Sequence, residues 1–248
     1  MDLLLGTLVL RPYVFAFLLA YVSIGAGDLG WRRTLVFGAW VWPIAWLAEF
    51  CSTRIGVPFG FYAYTGSTRG QELFIADVPL MDSLSFTFLA YAAFCLARQA
   101  LGLGATRARV TVLGGALMML LDVVIDPAAV RGDRWFLGLI FRYPDGGVYF
   151  GVPLSNFLGW LVVGMVAIGG YIYWSGGRSA SPGGFGRKTA GGVALYYAVI
   201  AFNLAVTAWI GEWTLFACGL AVHATVAGLL VLIRRRPLAW ADMESQKA

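Results

Sequence analysis

The chain has 248 residues, 60% of them hydrophobic and only 12% charged, with a mean hydropathy of +0.76. A soluble domain has no interior large enough to hide that much apolar surface, so the fold class is an all-α polytopic membrane bundle. The net charge of +5 and isoelectric point near 9.3 do not indicate a nucleic-acid binder, because no basic stripe interleaved with aromatics lies outside the apolar stretches.

About seven stretches approach the ~20 residues that cross a bilayer. They run over 8–27, 33–54, 78–97, 108–126, 151–174, 190–210 and 213–233. The first follows Asp2 rather than a basic run and shows no clear cleavage site, so it reads as a retained span and not a signal peptide.

The second stretch ends in Glu49, one turn before Thr53. A carboxyl at membrane depth costs about 2.5–3.5 kcal/mol on insertion scales and usually marks function. The plain alternative is a salt bridge with Arg54. A loop at 54–65 follows, mixing Gly and Pro with Tyr62, Tyr64 and phenylalanines. Irregular backbone at this depth is tolerated where protein or a cavity satisfies it, so the loop is expected to roof a pocket; interfacial anchoring of its rings is the alternative. Asp82 opens the third stretch and reads as a first-turn acid favoured by the helix dipole.

The fourth stretch ends in Asp122 and Asp126, four residues apart and therefore on one helix face. Two carboxyls this close and away from water do not both ionise easily, and one kept protonated can donate a proton. Pro127 is expected to end the helix and to push Asp126 out of helical geometry. Pairing of this end with Arg131 or Arg134 is the competing reading. After Trp135, a second aromatic loop and the helix behind it supply Tyr149, Asn156 and Trp160. Asn156 is expected to hold water or a carboxylate, or else to cap or bridge helices. Both loops contain Gly-Val-Pro, a weak hint of a duplicated half.

The whole of 1–248 reads as a single membrane domain. A Gly/Ser/Pro connector at 175–188 separates a front block, 8–174, with the candidate site from a back helix pair, 190–233. His223 is the notable polar residue of that pair, and Glu212 in its tight turn is expected to be solvated. Arg32, Arg33, Arg98, Arg107, Arg109, Arg178, Arg187, Lys188, Arg234 to Arg236 and Lys247 fall on one side of the membrane; Arg11, Arg54, Arg69, Arg131, Arg134 and Arg142 fall on the other. The positive-inside rule then predicts an outside N-terminus, a cytoplasmic C-terminus and a candidate site in the outer half.

Cys51, Cys95 and Cys218 are odd in number and widely spaced, and read as inert buried thiols. One histidine and no cysteine cluster argue against a zinc, haem or non-haem iron centre, and no phosphate loop or dinucleotide fingerprint is present. No cofactor is expected. A retinal protein is excluded because Lys188 and Lys247 lie outside the spans. A prenyltransferase would need a second aspartate-rich motif facing the first.

The ordered motifs are Glu49 with Gly-Val-Pro-Phe-Gly-Phe-Tyr-Ala-Tyr at 56–64, Asp-Val-Val-Ile-Asp-Pro at 122–127 with Trp135, and Tyr-Phe-Gly-Val-Pro-Leu-Ser-Asn-Phe-Leu-Gly-Trp at 149–160. Over roughly 40–165 they resemble the membrane carotenoid-biosynthesis family that includes the carotenoid hydratases of bacteria and haloarchaea. The resemblance implies water addition across the terminal double bond of an acyclic (ψ) carotenoid end group, giving a tertiary alcohol. It implies a multi-pass protein of the cell membrane whose partners are a carotenoid, water, membrane lipid and other enzymes of the pathway. The residues suit that chemistry, because protonating a trisubstituted alkene demands a dry acid and neither metal nor nucleotide. Asp122 or Asp126 is the candidate acid. Glu49 with Asn156 is the candidate for orienting and deprotonating water. Tyr62, Tyr64, Trp135, Tyr149 and Trp160 are candidates to line the substrate and shield its cation. A lycopene-type cyclase shares the first step. A proton-coupled carrier or lipid-binding membrane protein is the reading from another class, opposed by the concentration of acids on one side.

Overall fold

The computed structural model describes residues 2–102, 105–175 and 187–235, without the side chains of 187, 188 and 235. Most of the expected connector, with Arg178, and the segment carrying Arg236, Asp242, Glu244 and Lys247 lie outside the described residues. Among the described residues, six helices are long and apolar enough to cross a membrane. They are α3 (Trp31–Ile55), α4 (Leu80–Leu101), α5 (Arg107–Ala129), α6 (Leu154–Trp174), α7 (Arg187–Trp209) and α8 (Trp213–Arg235).

The first expected span is not one helix. It divides into α1 (Leu3–Leu10) and α2 (Pro12–Asp28), bent by 86° at Arg11. Pro12 at the first helical position of α2 lacks an N–H, which suits a helix start and not a continuation. The Asp2 carboxyl caps α1 by accepting from the Leu4 N–H. Arg11-Pro12 marks the break in the sequence, but the apolar residues on either side read as one run.

The opposite error occurs at Pro127. Helix α5 does not stop at Asp126 but continues to Ala129, so Asp126 stays helical and keeps its register with Asp122. One missing N–H near a helix end costs little when the flanking turns are packed.

Helix α4 is the axis of the bundle; every residue from Phe86 to Arg98 is buried. Around its middle, rings of Tyr21, Phe37, Tyr91, Phe94 and Tyr171 form a continuous aromatic cluster with centroids 4.8–6.3 Å apart. Helices α5 and α6 are the most extensively paired, and small residues set their approach. A methyl at Gly115 would stand 2.5 Å from Met165 Cγ and 2.9 Å from the Leu161 carbonyl; one at Gly164 would stand 3.0 Å from Gly115 Cα.

At the end of the bundle where α3 finishes and α4 begins, two antiparallel strand pairs tie the loops down. β1 (Ala63–Tyr64) pairs with β4 (Phe141–Arg142), and β2 (Phe74–Ile75) pairs with β3 (Val78–Pro79). The first aromatic loop also packs on the start of α6: a side chain at Gly159 would strike the Pro58 carbonyl at 2.7 Å. The cysteines are free; Cys95 is buried, whereas Cys51 and Cys218 are half-buried.

Replacing Gly115 with Ala is expected to destabilise the detergent-solubilised protein by about 1–3 kcal/mol through overpacking against backbone. Gly228→Ala, where the added methyl meets nothing within 4 Å, is the neutral control. Thermal or denaturant unfolding of both variants checks the difference.

Candidate active site

The loop-bearing end of the bundle holds a cavity of about 910 Å³, its open mouth included. Glu49, Asp82, Asp126 and Asn156 line it, together with Tyr62, Tyr64, Trp135, Tyr143 and Trp160. The wall is not confined to the front block, because α7 contributes Val199, Phe202 and Asn203.

One wall is built by α5 and α6. Asp122 is fully buried, and Asn156, near the start of α6, reaches across to it. The Asn156 amide nitrogen donates to Asp122 Oδ2 at 2.5 Å and to Asp126 Oδ2 at 3.0 Å. The two carboxyls thus share one amide, and the Tyr143 hydroxyl donates to Asp126 Oδ2 at 2.9 Å. Asp122 does not itself touch the cavity; it stands behind Asp126 and Asn156, with Oδ1 lacking a partner. Asn156 therefore holds carboxyls and does not pair with Glu49.

The competing readings of these acids are not met. Arg131 and Arg134 pair with Glu212 at 3.6 and 2.6 Å, tying the loop after α5 to the α7–α8 turn. Glu212 is thus an ion-paired, mostly buried group and not a solvated one. Arg54 stacks on Phe50 and pairs with Asp77 at 3.4 Å, not with Glu49.

The facing wall comes from α3, α4 and the first aromatic loop. Glu49 is buried, with Oε2 unpartnered. Asp82 is held by Arg11 at 2.9 Å. Across the roof run Tyr64, Tyr62 and Tyr143, with centroids 5.5 Å and 5.8 Å apart. Below them Phe86 stacks on Trp160 at 4.3 Å. Trp135 lines the cavity, and its buried indole N–H has no acceptor.

Tyr149 is the expected lining residue that the fold puts elsewhere. It packs edge-on against Phe150 and Phe157, outside the cavity. Arg11 and Tyr143 are wall residues that sequence reasoning did not single out, and Asp82 is one that it read as a first-turn acid. Arg11 had a visible signal: it is a lone cation inside an apolar run. Asp82 looked like an ordinary helix-start acid because its partner lies 71 positions away.

The profile of the family described as "Carotenoid biosynthesis protein" matches residues 1–226. The chain belongs to that family. It is also 36% identical, over 121 residues, to a bisanhydrobacterioruberin hydratase from Haloarcula japonica. That match covers 48% of this chain and 38% of the relative. No solved structure matches the chain.

For this carotenoid biosynthesis protein the roof tyrosines have a testable electrostatic character. Burial, and then the nearby Glu49 carboxyl, push the Tyr62 and Tyr64 phenols up from their usual value; burial, and then Asp126, do the same to Tyr143. All three remain neutral donors at ordinary pH. A raised folded value means that their contribution to stability is complete below the ordinary tyrosine pKa of about 10 and is lost as pH rises through the folded values. Alkaline titration of the folded protein in detergent is expected to show tyrosinate absorbance later than in the denatured chain. The triple Phe variant at 62, 64 and 143 should lose the part of that delay due to these phenols.

Proposed function

We propose that this protein is a carotenoid hydratase that adds water across the terminal double bond of an acyclic carotenoid end group. The observation that carries the reading is the Asp122–Asp126–Asn156 clamp, which opens onto an aromatic-lined cavity opposite Glu49 in a chain of the carotenoid biosynthesis family. The named hydratase among its relatives supports the reaction class.

The coupled aspartates act as the acid. Two carboxyls sharing one amide donor can keep a proton between them, and Asp126 presents it to the cavity. Protonation of the alkene creates a tertiary carbocation. The faces of Tyr62, Tyr64, Phe86 and Trp160 supply negative quadrupole around it without adding a nucleophile of their own. The Glu49 carboxyl, which lines the cavity, orients the water that captures the cation as a tertiary alcohol. No cofactor enters this scheme.

A Glu49 carboxyl that lines the cavity without an ion pair among the described residues favours hydration over the cyclase reading, since a cyclase cation is quenched by losing a proton and needs no ordered water. The distribution of basic residues supports a multi-pass protein of the cell membrane with the cavity end facing outward. Membrane lipid and other enzymes of carotenoid synthesis are its expected company.

Expression in a lycopene-producing host is expected to yield pigment heavier by one water. An isomer of unchanged mass would assign a cyclase instead, and unaltered pigment across several acyclic carotenoids would reject both. Asp122→Asn, Asp126→Asn and Glu49→Gln are each expected to lower turnover by about 100-fold or more while membrane content stays at the wild-type level. Full activity in all three would remove the site assignment.

A further inference from the structure

Asp82 meets the cavity with its own counter-ion, unlike the other carboxyls of the chamber. Arg11 sits at the break between α1 and α2, almost wholly buried. Its Nε and Nη2 donate to the two oxygens of Glu72 at 3.0 and 2.8 Å, and its Nη1 donates to Asp82 Oδ1 at 2.9 Å. The Glu72 side chain is fully buried, whereas that of Asp82 is 18% exposed. Arg11 and Asp82 line the cavity; Glu72 does not. The bidentate grip of Glu72 fixes the guanidinium plane, and the remaining arm of the fork then holds one Asp82 oxygen in place. The other carboxylate oxygen makes no hydrogen bond among the described residues, and Asp82 lines the cavity. Glu49 also lines the cavity but makes no ion pair among the described residues.

We propose that Asp82 is the proton acceptor of the hydration step and that Arg11, locked by Glu72, is the positioning residue that presents it. This rests on the hydratase reading above. An ion-paired carboxylate accepts hydrogen bonds and cannot donate them, and the reaction needs such a group. The aspartate couple gives a proton to the terminal alkene CH, and the cation forms on the tertiary carbon. A water oxygen bonds to that carbon, and the proton this oxygen sheds goes to Asp82. One water has then been added. The aspartate couple is one proton short and Asp82 holds one extra, and transfer across the shared cavity restores both. Glu49 orients the water and does not take its proton.

The assignment is tested in membranes containing lycopene, assayed in D2O. Asp82→Asn is expected to lower the hydrate by about 100-fold or more, the loss typical of a missing general base. Recovered substrate should still gain deuterium at its terminal CH, because the cation forms and can only give a proton back. Arg11→Gln should show the same split between exchange and hydration, and Asp82→Glu should regain part of the hydrate. A simple structural loss would remove exchange and hydration together, and that result in correctly inserted Asp82→Asn overturns the proposal. So does hydration by Asp82→Asn within about threefold of wild type. Should Asp82→Asn fail to accumulate in the membrane, Asp82→Glu carries the test: its displaced carboxylate must change the ratio of hydrate to exchange, and an unchanged ratio overturns the assignment. A wild-type protein inert on every acyclic carotenoid tried overturns the hydratase reading itself, whatever Asp82 does.

Discussion

A carboxyl group carried out of water must be paired, shared or left open to a substrate, and that requirement shapes this end of the bundle. Asn156 meets it on one wall by giving a single amide nitrogen to two aspartates. Leaving a buried acceptor without its donor costs about 1–3 kcal/mol, more for a charged one, so this amide is costly to replace. Arg11 meets it on the other wall with a guanidinium set between two acids. Neither device works unless the backbone brings helices distant in sequence to hydrogen-bonding range.

Small residues provide that approach. Gly115 and Gly164 let α5 and α6 close on each other, which allows an amide on one helix to reach two carboxyls on its neighbour. Gly159, one turn beyond Asn156, accepts the Pro58 carbonyl of the first aromatic loop against its bare Cα. The roof of the cavity and its acid wall are therefore joined through one short stretch of α6. The same stretch presents Trp160 to Phe86, so the shape of the chamber and the order of its acids are set together.

Much of this was legible in the sequence. Long apolar runs located the six full spans, because hydrocarbon demands them. Carboxyls inside those runs located Glu49, Asp122 and Asp126, because their burial is expensive. Two kinds of information were not local. The bend at Arg11 and the helical passage through Pro127 are decided by tertiary packing, to which hydropathy is blind. The partners of each acid are decided by the fold: Asp82 and Glu72 lie 71 and 61 positions from the arginine that binds them, and the arginines nearest the aspartates in sequence turned instead to Glu212. Tyr149 shows the limit from the other side. Its aromatic loop pointed toward the cavity by composition, but its ring turned to Phe157.

The span of the arginine's bonds has a consequence for tolerance to change. One buried guanidinium joins the α1–α2 break to Glu72, 61 positions away, and to Asp82, 71 positions away at the start of α4. Removing one partner of a buried ion pair leaves a charge without compensation, at a cost of about 3–5 kcal/mol. Loss of either acid leaves Arg11 the other, whereas loss of Arg11 strands two negative groups at once. The triad is therefore asymmetric: its single cation is the member that the fold can least afford to exchange.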